Sequence, residues 1–427
     1  MTSFKENNVF QAFEHASYNI KNGGREGKLL PPDLFEALKS YAGEKELPWY
    51  TLTANGVRFH QYVGALQIGR YCIEVLPKID RNQRNEESAQ MVLINMLKQS
   101  GFIIVKTPTE SSLKLKHNFI LETYVQMFLD ETWQIIHRGL IKFYHKEEGN
   151  NYSLKGSLVF NKHININNTH AERFYVRFST YDREHPLNRV LYKTLLLISK
   201  LSISQEAIES SKAQLDLLPE LNDIKVNNEF FRKINYDRKT EAYRKAINIA
   251  RLLLLNYHPD LSYGRNNVLA LMFDMNDVWE MWVTRRLAMV SKKHNKDLFI
   301  RAQAKKIFWT GITGERIKQK PDMVIEENEN PIFIIDTKWK IIDRRPSEDD
   351  IRQMFAYNRL FGTSIAFLAY PGELRHIHGE FYDPKENGEC GLSLIPFLDH
   401  GRLSSQGVEQ FFLESYNHYL RKRSNQS

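Results

Sequence analysis

The sequence predicts a multidomain chain of mixed α+β and α/β class. It divides into an N-terminal β module over 1–82, a middle helical region with a projecting β hairpin over 83–262, and an α/β domain over 263–427. Two-residue alternation of apolar side chains runs through 50–76, and apolar spacing near 3.6 runs through 86–137 and 188–257. From 268 onward, strand-like and helix-like stretches alternate. At 427 residues the chain exceeds what one core supports, because single cores rarely grow past ~250–300 residues.

The chain is expected to open on a short helical stretch. β runs then follow at 50–54, 57–68 and 71–76, separated by the turn signals Asn55-Gly56 and Gly69-Arg70 and closed by Pro77. Helices are expected over 86–100 and 113–137. In the second, Leu121, Tyr124, Val125, Phe128, Leu129, Trp133 and Ile136 share one face and should enter the core. The β pattern returns at 140–144, 152–160 and 174–181. The stretch Lys146-Glu147-Glu148-Gly149-Asn150-Asn151 is polar and turn-rich, which predicts an exposed hairpin tip. Helices are expected from 188 to 257, and Pro259 with Gly264-Arg265-Asn266-Asn267 marks a domain boundary. Beyond it, Asn276 or Asp277 should cap a helix over 278–290. Strands are expected at 299–304, 306–309, 322–325, 331–340 and 365–370, with helices at 348–361 and 406–422.

Composition narrows the function classes. Lys+Arg 59 against Asp+Glu 51 gives a net charge of +8, which tilts the expected partner toward polyanions. The basic residues are interspersed with acids, so nucleic-acid contact and an ordinary solvated surface both fit. Two cysteines, Cys72 and Cys390, supply neither a disulfide framework nor a Cys-built zinc site, and a cytoplasmic location is expected. The start MTSFKENNVF lacks a signal-peptide layout, and no stretch reaches the ~18 apolar residues of a membrane span, so no membrane partner is expected.

The chemistry concentrates in KPDMVIEENENPIFIIDTKWK, residues 320–340. The run Ile332-Phe333-Ile334-Ile335 ends in Asp336-Thr337-Lys338. A two-residue period places Asp336 and Lys338 on one strand face and Thr337 on the other. The turn to the preceding strand can bring Asp322 beside Asp336. Two converging carboxylates repel unless a cation lies between them, and hard oxygen ligands of this kind select Mg2+ or Mn2+. Asp322, Asp336 and a carbonyl at Thr337 form the candidate ligand set, with Lys338 positioned to orient or deprotonate a water and to stabilise phosphate charge. Standing alone, a D-x-K triplet is more often a plain salt-bridged strand pair than a catalytic motif; here it does not stand alone. Glu280, beside Trp279, Trp282 and Val283, reads either as a solvated glutamate or as a further acid. Gln353 and Tyr357, four apart on a helix, read either as packing or as contacts to phosphate or lysine. His376-Ile377-His378 reads as a surface strand.

An acid in a helix, P-D, D-x-K and then Q-x-x-x-Y together resemble the PD-(D/E)xK nuclease superfamily. More narrowly, the chain resembles, along nearly its whole length, the McrC family, the nuclease subunits of McrBC modification-dependent (type IV) restriction systems. The stretches that carry this are 63–69 and 74–79, Arg138-Gly139-Leu140, 154–160, Asn188-Arg189-Val190-Leu191, 335–339 and Tyr370-Pro371. The resemblance implies a PD-(D/E)xK restriction-endonuclease-like domain at the C-terminus, with Asp322, Asp336 and Lys338 on the catalytic motif and Glu280, Gln353 and Tyr357 on accessory positions. It implies Mg2+-dependent cleavage of double-stranded DNA, methylated or otherwise modified, in phage defence. It also implies a finger, mapped onto 139–185, that enters a hexameric McrB-like AAA+ GTPase and stimulates it. Arg138, Lys155, Asn188 and Arg189 are its candidate partner contacts. The β module over 1–82 is present in only some such chains.

Two other readings stay open: a non-cutting assembly or stimulatory subunit of the same motor, and a free-standing PD-(D/E)xK nuclease. The sequence holds no G-x-x-x-x-G-K-[ST] loop, so any nucleotide hydrolysis belongs to another chain. It also lacks G-x-S-x-G, H-E-x-x-H and dinucleotide fingerprints.

Overall fold

The computed structural model describes residues 9–22, 27–43, 47–79, 86–102, 120–201, 203–258, 268–340, 342, 345–382 and 388–426. The described chain opens on strands β1 (Val9–Phe13) and β2 (Ser17–Asn19) and not on a helix; the short helix α1 (Pro32–Ala42) comes third. Pro32 at its first turn and the inward stripe Leu34, Phe35, Leu38 and Ala42 account for it. Strands β3 (Tyr50–Thr53), β4 (Gly56–Phe59), β5 (Tyr62–Ile68) and β6 (Tyr71–Leu76) follow. The run expected over 57–68 is thus two strands in two sheets: β4 joins β2 and β3, while β5 pairs with β6. At the break, His60 donates its amide to Trp49 O, and its ring contacts Thr51 and Pro48, so the chain turns without a proline or glycine to announce it.

The middle region begins with α2 (Glu86–Ser100) and α3 (Ile120–Arg138); residues 113–119 of the expected second helix lie outside the described residues. Leu121, Tyr124, Val125, Phe128 and Leu129 are buried as expected, but Trp133 is 46% exposed and Ile136 half-buried, because the stripe rotates off the core at this end. Glu74 on β6 ties the layers together. Its carboxylate accepts from Gln11, Gln90 and the Ile120 amide at the start of α3.

A ribbon of β7 (Phe143–Asn151), β8 (Ser157–Leu158) and β9 (Phe174–Asp182), with the helix α4 (Phe160–Asn167), projects next. The expected tip 146–151 is strand: β7 pairs with β9 along its whole length, from Phe143 opposite Asp182 to Asn151 opposite Phe174. The true end of the ribbon is 152–173. Both faces of β7 meet solvent, so its polar side chains never form the apolar alternation that reveals a strand. Helices α5 (Pro186–Ile198), α6 (Gln205–Asp216), α7 (Asn228–Arg232) and α8 (Arg244–Leu255) follow; α6 and α8 pack against α3, α5 packs on α6 and α8, and β10 (Tyr257–His258) ends the region.

The expected boundary over 259–267 lies outside the described residues. Just beyond it, β11 (Val268–Asp274) pairs with β10 on one side and β5 on the other, giving the sheet order β1-β6-β5-β11-β10. That sheet crosses the divisions expected at 82 and 262. Gly64 permits the approach: its φ is +131°, and a Cβ there would lie 2.1 Å from Leu271 O.

The last segment holds α9 (Met275–His294), β12 (Leu298–Ala302), the ribbon β13 (Lys306–Thr310) and β14 (Arg316–Gln319), β15 (Met323–Glu327), β16 (Asn330–Thr337), α10 (Glu348–Phe361) and β17 (Ile365–Pro371). Strands β18 (Arg375–Glu380) and β19 (Glu389–Ile395), the short pair β20 (Leu398–Asp399) and β21 (Arg402–Leu403), and α11 (Gln406–Gln426) complete it. The sheet order is β12-β15-β16-β17-β19-β18, with β16, β17 and β19 parallel. His376 and His378 lie on the edge strand β18, as expected. The helix cap is Asp274, whose carboxylate accepts from the Asn276 amide, and not Asn276 or Asp277. Both cysteines are buried and free, and no described helix is long and apolar enough to cross a membrane.

Candidate active site

Strand β16 is buried from Ile332 to Thr337, covered by α9 and α11 on one side and α10 on the other. A strand covered on both faces needs apolar residues throughout, which is why a charged pair at its end stands out. The β15–β16 register, Met323 opposite Ile335, places Asp322 across from Asp336. Thr337 is not turned away: its amide and its hydroxyl both donate to Asp322 Oδ2, each at 2.7 Å. Asp322 lies just before β15 and Thr337 is the last residue of β16, so the flat two-residue period fails in this last step.

Asp336 is 2% exposed, and Lys338 Nζ forms an ion pair with its Oδ2 at 2.7 Å. Burial pushes the Asp336 carboxyl up to about 7, Asp322 adds to the rise, and the Lys338 ammonium works against it. Burial also raises Asp322, opposed by its two bonds from Thr337. Burial alone would lower Lys338, but the charges of Asp336, Asp322 and Asp350 and the bond to Asp336 together outweigh it, and the ammonium is held above its ordinary value.

Two helices deliver the accessory groups. From α9, Glu280 is half-buried and accepts from Gln303 Nε2, and burial with the nearby Asp322 charge lifts it to about 7. From α10, Gln353 accepts from Lys338 Nζ at 3.1 Å and donates to Tyr357 OH at 2.7 Å, which in turn donates to Lys320 O at 3.1 Å. The four-residue spacing thus forms a relay that fixes the lysine. Burial raises the Tyr357 phenol. Asp322, Asp336, Lys338, Glu280, Gln353, Tyr357 and Thr337 are all brought to one edge of one sheet.

Sequence reasoning missed several neighbours. Gln303, at φ +55°, bonds Asp322 O through its amide, and no pattern marked it. Asp277 precedes Glu280 by three on α9, and burial with the Asp274 charge raises its carboxyl; that spacing was visible. Trp339 donates its indole N–H to Glu14 at 2.7 Å and its amide to Asn276 at 3.2 Å. Glu14 is 1% exposed and pushed to about 7 by burial, so a buried acid of the N-terminal module braces the residue next to Lys338.

The four expected partner contacts lie elsewhere, at the projecting ribbon and its root. Arg138 and Lys155 are exposed, with Lys155 Nζ 4.7 Å from the centre of the Phe178 ring. Asn188 is fully buried: it donates to Ile141 O and Arg183 O and accepts from Tyr243 OH, so it braces the root and meets no surface. Arg189 donates to Asn222 O and Asp223 O at the same root. On the ribbon, His145, Glu147 and Asp182 bring ligand-type atoms within 4.8 Å of one another. The His145 ring faces Glu147 with Nε2 and Asp182 with Nδ1, and one imidazole cannot turn both nitrogens to a shared ion, so the cluster is a salt-bridge triad.

A family model described as McrBC 5-methylcytosine restriction system component matches residues 57–371. A chain of the tetradecameric assembly of Thermococcus gammatolerans McrB AAA+ hexamers with bound McrC is similar in fold, with a TM-score of 0.67 and 17% identity over 96% of this chain and 99% of that one. A chain of the Thermococcus gammatolerans McrBC complex matches more loosely, with a TM-score of 0.48 and 16% identity over 66% of this chain and 88% of that one. No curated protein matches the sequence.

Proposed function

The chain belongs to the family of McrBC 5-methylcytosine restriction system components, and from that membership we propose that it is the McrC-like subunit that cuts DNA with Mg2+ while binding and stimulating a hexameric McrB-like AAA+ GTPase. The observation that carries the cutting half is the meeting of Asp322, Asp336 and Lys338 at one sheet edge. The β15–β16 hairpin, the parallel strand β17 and the helices α9 and α10 correspond to a PD-(D/E)xK endonuclease layout, within an expected domain over 263–427.

The donor set fits a hard divalent cation. Three carboxylates, Glu280, Asp322 and Asp336, all have raised pKa values, and the charge of Asp322 contributes to the rise of the other two. Asp336 Oδ2 is buried beside the Lys338 ammonium, 2.7 Å away. Asp322, Asp336 and the Thr337 carbonyl would hold the ion, which when bound supplies a water of lowered pKa and charge neutralisation at phosphorus. The protein's own groups do the rest. Lys338, held by Gln353 and Tyr357, faces the scissile phosphate as a cation and orients the attacking water. Thr337 anchors Asp322 in its ligating rotamer, and Trp339, fixed by Glu14 and Asn276, anchors the strand end.

The partner half rests on the ribbon. It exposes Tyr144, Tyr152, Leu154, Phe160, Ile164 and Ile166, more apolar surface than a solvated hairpin needs. The similar assembly is described as McrB AAA+ hexamers with bound McrC. We assign the ribbon to the McrB-like partner, with residues 152–173 as its leading end.

Incubating methylated plasmid with the purified chain, its McrB-like partner, GTP and Mg2+ tests the proposal. Linear product is expected from the complete mixture and none with EDTA. Cutting by the chain alone would support the free-standing nuclease, and stimulated GTP hydrolysis without cutting would support the non-cutting subunit.

A further inference from the structure

The β13–β14 ribbon has no part in the chemistry described so far, yet it is rooted in the candidate site at both ends. It leaves the sheet after Gln303, which bonds Glu280 and Asp322 O, and returns through Lys320 and Pro321 into Asp322. Its base is pinned to the end of α10, where Lys306 Nζ donates to Leu360 O at 3.2 Å and lies over the Phe361 ring. Beyond that anchor every residue of β13 is exposed.

The two faces of the ribbon differ. On β14 the two-residue period puts Arg316 and Lys318 on one face and Ile317 on the other, with Trp309 directly across from Ile317. Trp309 is 51% exposed, and Ile312 in the turn is fully exposed. Over 305–320 the sequence carries Lys305, Lys306, Arg316, Lys318 and Lys320 against the single acid Glu315. Among the described residues, neither Arg316 nor Lys318 makes a salt bridge.

We propose that this ribbon is a DNA arm, gripping the duplex beside the cut site with Arg316 and Lys318 on phosphates and Trp309 and Ile312 against sugars or bases. The proposal rests on the reading of the adjoining site as a nuclease and supplies its substrate grip. Charge selects the occupant: five cations against one acid over 305–320 complement a polyanion, and a two-stranded ribbon fits the width of the major groove. Apolar side chains such as Ile and Phe are known to press between bases in DNA-binding proteins. The rooting explains placement, because a duplex held by the arm passes the carboxylate edge.

The test separates the grip from the cutting. In the Asp336→Ala full chain, with EDTA present, binding of a fluorescently labelled duplex is read by anisotropy across a salt series. Arg316→Glu with Lys318→Glu is expected to weaken binding at least tenfold and to flatten the dependence of log K on log salt by about 2, near 0.9 per lost phosphate contact. The pair Arg316→Lys and Lys318→Arg should restore it, and the far-ultraviolet circular dichroism should be unchanged. Lys200→Glu with Lys212→Glu, equal in charge but on α5–α6, should have a much smaller effect. Equal weakening by both pairs would overturn the arm, as would unchanged binding. So would unchanged DNA affinity with a halved mass by light scattering, which would give the face to a second copy of this chain. A cutting-competent Asp336→Ala chain would defeat the nuclease site while leaving the arm's binding result to stand separately.

Discussion

Strands β16 and β7 are of similar length, eight and nine residues, and each is paired along its length, yet one is buried almost end to end and the other almost nowhere. On β16 the carboxylate of Asp336 is desolvated and raised to about 7. On β7 the acids keep water and cations: Glu148 lies at the surface and is lowered by bonds from Lys162 and Arg177. The difference teaches where each task belongs. Perturbed acids suit metal binding and chemistry, whereas a solvated ribbon with scattered aromatic residues suits a partner surface.

The largest expected effect breaks the buried side alone. Asp336→Asn should lower DNA cutting by about a thousandfold or more while leaving stimulated GTP hydrolysis within twofold, measured in parallel assays. Loss of both would erase the distinction. Next, Lys338→Ala should lose about a hundredfold in cleavage with DNA affinity nearly kept; an equal fall in affinity would make the lysine a phosphate clamp. On the ribbon, replacing 153–172 with a short Gly-Ser turn should cut stimulation of the partner about tenfold and leave Mg2+ binding by calorimetry unchanged. Replacement within 146–151 is a different experiment, because it breaks the β7–β9 ladder.

The pH dependence sharpens the contrast further. A proton must leave Asp336 before a cation binds there, and the nearby Glu280 is raised to the same range, so Mg2+ affinity should climb as pH rises toward 7, by about tenfold per unit for the proton released, and flatten above it. Affinity independent of pH between 5.5 and 7.5 would place the metal elsewhere. Glu14 shows the same shift without ligating. Its folded pKa is raised, so the folded state holds the extra proton and stability falls as pH rises from about 4.5 through about 7. Glu14→Gln keeps an oxygen for Trp339 and Lys78, and should be more stable than wild type by about 1–3 kcal/mol at pH 8 and equal to it at pH 4.

Much of the buried side was legible in the sequence. The apolar run ending in Asp336-Thr337-Lys338, the Pro321-Asp322 opening and the Gln353–Tyr357 spacing all follow from strand and helix periods, and α2 and α10 fall where those periods place them. What stayed hidden depends on tertiary contact. Asn188 reads as an exposed polar residue until Ile141 and Tyr243 close over it, and Glu14 pairs with Trp339 across most of the chain. β7 has no alternation to read, and β11 gives no sign that its partner is β5. Gly64 lies in the stretch 63–69 that carries the family resemblance, and its structural reason is the approach of β11.

The division between the two regions is tested most directly by one crossed assay. In a single mixture of chain, McrB-like partner, GTP, Mg2+ and methylated plasmid, GTP hydrolysis and linear DNA are followed together for Asp336→Asn and for the 153–172 replacement. The account predicts that the first loses cutting and keeps stimulation, and that the second loses stimulation although its carboxylate site still binds Mg2+. If Asp336→Asn cuts like wild type, or if the replacement stimulates the partner fully, the assignment of chemistry to β16 and partner contact to the β7–β9 ribbon is contradicted.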